Sequence, residues 1–168
     1  MERADRRDEL AFYYPLASLA PDALNGLLAR RGPLELAGEG LHFSPLRGMM
    51  KGFIDLTFRR DGRYYLADYK SNHLGERFED YAQAHLADAM REHRYDLQYL
   101  IYCVALHRHL RTRLPDYDYA RDFGGVFYLF LRGMRPDAGP RLGVYRDRPE
   151  PGLIEALDAL FAGGEGQA

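Results

Sequence analysis

The alternation of apolar and polar positions changes character along the chain. Residues 9–16 (ELAFYYPL) mix aromatic and aliphatic side chains and predict a strand that ends near Pro15. Residues 21–31 (PDALNGLLARR) predict a short helix, with Pro21 at its start and Gly32 just past its end. Glycines and a proline make 32–40 a predicted loop. Strands are expected at 41–46, 49–59 and 63–70, with a turn at Asp61-Gly62 and a polar loop over 71–79. From about 80 to 113 the period becomes helical. Leu97, Leu100, Ile101, Val104 and Leu110 give an apolar stripe, and Pro115 marks the stop. Residues 124–131 (GGVFYLFL) are a continuous apolar run of strand length, the pattern of a strand covered on both faces. A short edge strand at 142–146 and a helix from Pro151 to Gly163-Gly164 complete the order, and 164–168 read as a disordered tail. Together these predict one α/β domain over 1–168, with a mixed central sheet flanked by helices.

The segment Ile54 to Lys70 (IDLTFRRDGRYYLADYK) reads as a β-hairpin about Asp61-Gly62. A two-residue loop, or a four-residue loop on the same centre, sets Arg60 against Arg63, Phe58 against Tyr65 and Asp55 against Asp68. Opposed residues share one face, with Cβ atoms roughly 5 Å apart, so the two carboxylates repel. Lys70 follows Asp68 by two and points to that same face. A divalent cation would compensate such a pair. Mg²⁺ takes oxygen ligands, commonly one or two carboxylates with water and phosphate oxygens. It polarises a phosphoryl oxygen and generates hydroxide near neutral pH. The plainer reading is a solvated strand end, with Lys70 simply bridging two acids.

Composition narrows this picture. Of 23 basic residues only Lys51 and Lys70 are lysine; the rest are arginine. Lysine is a compact ammonium and arginine a planar fork, so a lysine beside the acidic pair suggests chemistry rather than surface charge. The net charge of −2 advertises no global affinity for nucleic acid. One cysteine, Cys103, excludes a disulfide framework and any four-cysteine zinc or iron–sulfur site. There is no phosphate-binding loop of the ATPase type and no dinucleotide-binding turn. No apolar run nears the length of a membrane span, and the charged N-terminus is unlike a signal peptide, so a cytoplasmic location is expected.

Three motifs then fall in order: GFIDL at 52–56, DYKSN at 68–72 and QYLIY at 98–102. With RGMMKGFIDL, GRYYLADYKSN, HRYDLQY and FGGVFYLFLRG, the chain from about Glu9 to Gly163 resembles the RecB-type nuclease branch of the restriction-endonuclease-like, PD-(D/E)xK superfamily. The resemblance implies a Mg²⁺-dependent deoxyribonuclease, with Mn²⁺ able to substitute, of the exodeoxyribonuclease V type. It implies single-stranded DNA ends as substrate, and as partners a RecB helicase portion with RecC- and RecD-type subunits. It makes Asp55 and Asp68 metal ligands together with the backbone carbonyl of Tyr69, and Lys70 the catalytic lysine. Gln98 and Tyr102 become a supporting pair on one helix face, and Glu9 the acidic residue of the first strand. It also implies a histidine ligand on a helix before the first strand. None of the six histidines lies there, so an N-terminally truncated nuclease domain of reduced metal affinity is expected.

Arg108, Arg111 and Arg113, and Arg59, Arg60 and Arg63, are candidate phosphate contacts, although charge runs are more often solvated faces. Two other classes stay open. One is a docking or DNA-guiding module of the same fold without catalysis. The other is a glycoside hydrolase built on a carboxylate pair, which would leave Lys70 without a role.

Overall fold

The computed structural model describes residues 5–32 and 40–164. The loop expected at 32–40 and the tail expected at 164–168 therefore lie almost wholly outside the described residues. Five strands form one mixed sheet in the order β1-β2-β3-β4-β5, with helices flanking it. The strands are β1 (Arg6–Leu19), β2 (Leu46–Arg60), β3 (Arg63–Lys70), β4 (Phe123–Phe130) and β5 (Val144–Asp147). The helices are α1 (Pro21–Arg31), α2 (Gln83–Glu92), α3 (Tyr95–Arg111), the single turn α4 (Tyr119–Asp122) and α5 (Pro151–Phe161).

The chain folds as two compact units. One takes the residues up to Leu10, Ile54–Tyr95 and Arg121–Arg148; the other takes Ala11–Phe53, Asp96–Ala120 and the residues from Pro149. In the first unit, β2 and β3 are antiparallel with the expected register, Arg60↔Arg63, Phe58↔Tyr65 and Leu56↔Ala67. The Phe58 and Tyr65 rings stack across this pair at 5.1 Å. β3 and β4 run parallel, and Asp68 lies beside Tyr128 and Lys70 beside Phe130. β4 and β5 are antiparallel, which makes β5 the expected short edge strand. A parallel pair needs a long crossover, and the helical stretch between β3 and β4 supplies it. In the second unit, buried leucines of α1 and α5 (Leu24, Leu27, Leu28, Leu153, Leu157) supply much of the core. Buried Leu100, Cys103, Val104 and Leu106 of α3 add to it.

Three expectations need correction. Pro15 does not end the first strand, which runs to Leu19. β1 is an edge strand, where a missing N–H costs no ladder bond on the open side. The separate strands expected at 41–46 and 49–59 are one strand from Leu46, while 40–45 have no regular structure. Gly48 carries a φ of 139°, so the chain bends there without ending the strand. The helical stretch from 80 breaks into a 3₁₀ turn at Phe78–Tyr81, then α2 and α3. The break falls at Arg94, whose φ of 54° is left-handed. An αL residue closes the preceding helix, a place usually given to glycine. Its consequence is that Tyr95 opens a new helix.

Candidate active site

The site grows from the last residues of β3. Asp68 and Lys70 alternate with Tyr69, so their side chains enter the covered face while Tyr69 stays exposed. β3 lies between β2 and β4, which is why both charged groups are buried: 4% of Asp68 and 9% of Lys70 remain exposed. Their charges meet directly, with Lys70 Nζ 2.6 Å from Asp68 Oδ2. Lysine and aspartate are seldom buried unless paired, and this pair satisfies that condition.

Asp55 arrives through the hairpin register. The regular ladder runs as far as Leu56↔Ala67. One step further, the Tyr69 N–H donates to Asp55 Oδ2 at 3.0 Å. The carboxylate of Asp55 is thereby tied to the backbone between Asp68 and Lys70. Burial pushes the Asp68 carboxyl above its usual range; the hydrogen bond and charge of Lys70 pull it down, and the charge of Asp55 raises it again.

The neighbours of Lys70 were not foreseen from the sequence. Its ammonium lies 3.9 Å from the centre of the Tyr95 ring and 5.0 Å from that of Tyr128. Tyr128 comes from the parallel register beside Asp68. Tyr95 comes from the first turn of α3 and donates its hydroxyl to Asn72 Oδ1 at 3.2 Å. The loop after Lys70 is itself pinned. Arg132 Nε donates to the Ser71 carbonyl at 2.9 Å, and the Tyr81 hydroxyl donates to the Asn72 carbonyl at 3.4 Å. The signal available was DYKSN, whose asparagine carried no assigned role.

The other expected residues fall as follows. Gln98 and Tyr102 share a face of α3, and Gln98 Nε2 donates to the Tyr102 hydroxyl at 3.0 Å. They belong to the second compact unit, whereas Asp55, Asp68, Tyr69 and Lys70 belong to the first. Glu9 is exposed on β1, with a left-handed φ of 52°. His73 is exposed and 3.4 Å from Glu76. Arg108 is engaged within the fold: it ion-pairs with Asp158, and its guanidinium stacks on Tyr14 at 4.5 Å. Arg111 joins Asp158 at 3.2 Å, and Arg113 is exposed. On the hairpin, Arg60 is 3.6 Å from Asp61 and Arg59 stacks on Tyr64 at 5.7 Å.

The donor set fits a hard divalent cation. Asp55 and Asp68 offer carboxylate oxygen, and the adjoining backbone offers carbonyl oxygen. Among the described residues, no three His, Cys, Asp or Glu side chains form a metal-binding cluster. A two-carboxylate site is what Mg²⁺ commonly uses when water and phosphate complete its shell. No helix among the described residues is long and apolar enough to cross a membrane.

Comparison with known proteins agrees with this geometry. Residues 15–162 match the family model of the PD-(D/E)XK nuclease superfamily. The RecBCD enzyme subunit RecB of Escherichia coli K12 is 51% identical over 160 residues, covering 95% of this chain and 14% of that protein. The RecB subunit of Haemophilus influenzae is 56% identical over 126 residues, 75% of this chain and 10% of that protein. That of Mycobacterium tuberculosis H37Rv is 40% identical over 188 residues, 98% of this chain and 17% of that protein. The chain thus corresponds to a small part of these relatives' length. With the acid pair, its lysine and the fold in the expected order, and a family model matched from Pro15 to Ala162, the chain belongs to the PD-(D/E)XK nuclease superfamily.

Proposed function

We propose that this chain is a Mg²⁺-dependent deoxyribonuclease domain of the exodeoxyribonuclease V type, with Mn²⁺ able to replace Mg²⁺. It would hydrolyse phosphodiester bonds in single-stranded DNA ends delivered by a RecB-type helicase portion, alongside RecC- and RecD-type subunits, in double-strand-break processing. The carrying observation is the buried Lys70–Asp68 pair at 2.6 Å with Asp55 fastened one residue away. A solvated strand end would not bury these charges, and a glycoside hydrolase would give the lysine no task.

When bound, the cation would be held by Asp55, Asp68 and the Tyr69 carbonyl, and would polarise the phosphoryl group and acidify a water molecule. The remaining work falls to side chains. Lys70 brings a fixed positive charge to the C-terminal end of β3, where it can offset the extra negative charge of a pentacovalent phosphate or hold the attacking water. Asp68 anchors that ammonium. Asp55 is itself held by the Tyr69 N–H, which accounts for one of its carboxylate oxygens and leaves the other for the cation. Gln98 and Tyr102 are the supporting pair, and Glu9 is the acidic residue of the first strand. For phosphate contact, Arg113 and the hairpin arginines Arg59, Arg60 and Arg63 offer exposed side chains, whereas Arg108 pairs with Asp158.

Linear single-stranded DNA should be degraded by the chain, or by a longer protein carrying it, in Mg²⁺ or Mn²⁺. Excess chelator should stop release of short products, and restored Mg²⁺ should bring it back. Hydrolysis indifferent to chelator would overturn the metal mechanism. DNA binding without hydrolysis in Mg²⁺ would favour the non-catalytic module.

A further inference from the structure

Lys70 is one of only two lysines in a chain that otherwise uses arginine, and its surroundings explain the choice. The ammonium faces the Tyr95 ring at 3.9 Å and the Tyr128 ring at 5.0 Å, while Asp68 takes its hydrogen bond at 2.6 Å. Both ring distances lie within the roughly 6 Å range of a cation–π contact. The two rings are 5.7 Å apart and tilted by 36°, so they form two walls of one recess. A compact ammonium fits there, whereas a planar guanidinium is wider and demands in-plane acceptors.

We propose that Tyr95 is a positioning residue for the catalytic lysine, with Tyr128 as the second wall and Asn72 as its anchor; this rests on the nuclease reading above. A π face attracts a cation without consuming one of its N–H donors. The recess therefore fixes where the ammonium sits. Tyr95 is suited to this role by its backbone. The left-handed Arg94 turns the chain so that the next residue begins α3 beside the end of β3. The hydroxyl bond to Asn72, 3.2 Å long, then stops the ring from swinging away. Asn72 lies two residues beyond Lys70, in the loop that leaves β3, so the segment that carries the lysine also holds the ring that positions it.

The test combines kinetics on linear single-stranded DNA with melting temperature and NMR of the metal-free protein. Tyr95→Leu should lower kcat about ten- to thirtyfold with KM nearly unchanged. Tyr95→Phe keeps the π face and should stay within about threefold of wild type. In a Lys70→Met background, Tyr95→Leu should add no further loss, because the residue acts through the lysine. In the metal-free protein the Lys70 ε-methylene protons should be shifted upfield by the rings, and Tyr95→Leu should abolish most of that shift. If Tyr95→Leu does not fold, Tyr95→Met fills similar space without a π face and is held to the same outcomes. Wild-type kcat in the ring-less variant, a full additional loss beside Lys70→Met, or no upfield shift would each overturn the proposal. No hydrolysis of DNA by the wild-type protein in Mg²⁺ or Mn²⁺ would instead overturn the nuclease reading, and the NMR shift would still judge the recess.

Discussion

Replacing Asp68 with asparagine should abolish DNA hydrolysis while leaving a folded protein. The side chain performs two tasks that asparagine cannot. It supplies an anionic oxygen beside Asp55, and it holds Lys70 Nζ at 2.6 Å. A neutral amide is a poor ligand for Mg²⁺ and a weaker partner for an ammonium. Loss of both should reduce kcat by at least about a thousandfold, equivalent to about 4 kcal/mol of barrier. The fold should survive, because asparagine keeps the shape and the Tyr95 and Tyr128 rings still face the lysine. Some stability should go, since breaking a buried ion pair leaves one charge poorly compensated. The checks are product release from end-labelled DNA, circular dichroism and a thermal melt. A variant that cuts DNA at wild-type rate would show that the pair is structural.

Asp158→Ala should produce the largest loss of stability without touching the acid pair. Asp158 accepts Arg108 and Arg111 through its carboxylate, and its backbone carbonyl accepts Arg108 Nη2 at 3.0 Å. Arg108 also lies over the Tyr14 ring. Both partners of the main pair are mostly covered, with side chains 17% and 14% exposed. Removing the carboxylate leaves a guanidinium held in place with no counter-charge, costing about 2–3 kcal/mol once partial exposure is allowed for. A chain of this length should then melt roughly 5–10 °C lower. Arg108→Ala should likewise lower the melting temperature while leaving the salt dependence of DNA binding unchanged. A shallower salt slope without loss of stability would return Arg108 to the list of phosphate contacts.

Much of this was legible in the sequence, for identifiable reasons. Asp61-Gly62 set a turn with few alternatives, and the turn set the register observed from Arg60↔Arg63 to Leu56↔Ala67. The spacing of Asp68 and Lys70 put them on one face whatever the details of the fold. Contacts that depend on crossovers were not legible. Tyr128 stands beside Asp68 through a parallel pairing that no local turn specifies. Tyr95 was hidden because the break before it is made by Arg94 in a conformation that sequence reading expects of glycine. Pro15 misled because its meaning depends on whether its strand is central or at an edge, which only the assembled sheet decides. Arg108 looked like surface charge because its partner, Asp158, is fifty positions away.

The proposed cation site, Asp55 and Asp68 beside Lys70, stands or falls on anomalous diffraction from crystals of the chain soaked in Mn²⁺. The expected result is an anomalous peak in contact with both carboxylates, absent from Asp68→Asn crystals treated alike. Ordered, well-diffracting crystals at saturating Mn²⁺ with no peak between the two aspartates would contradict it.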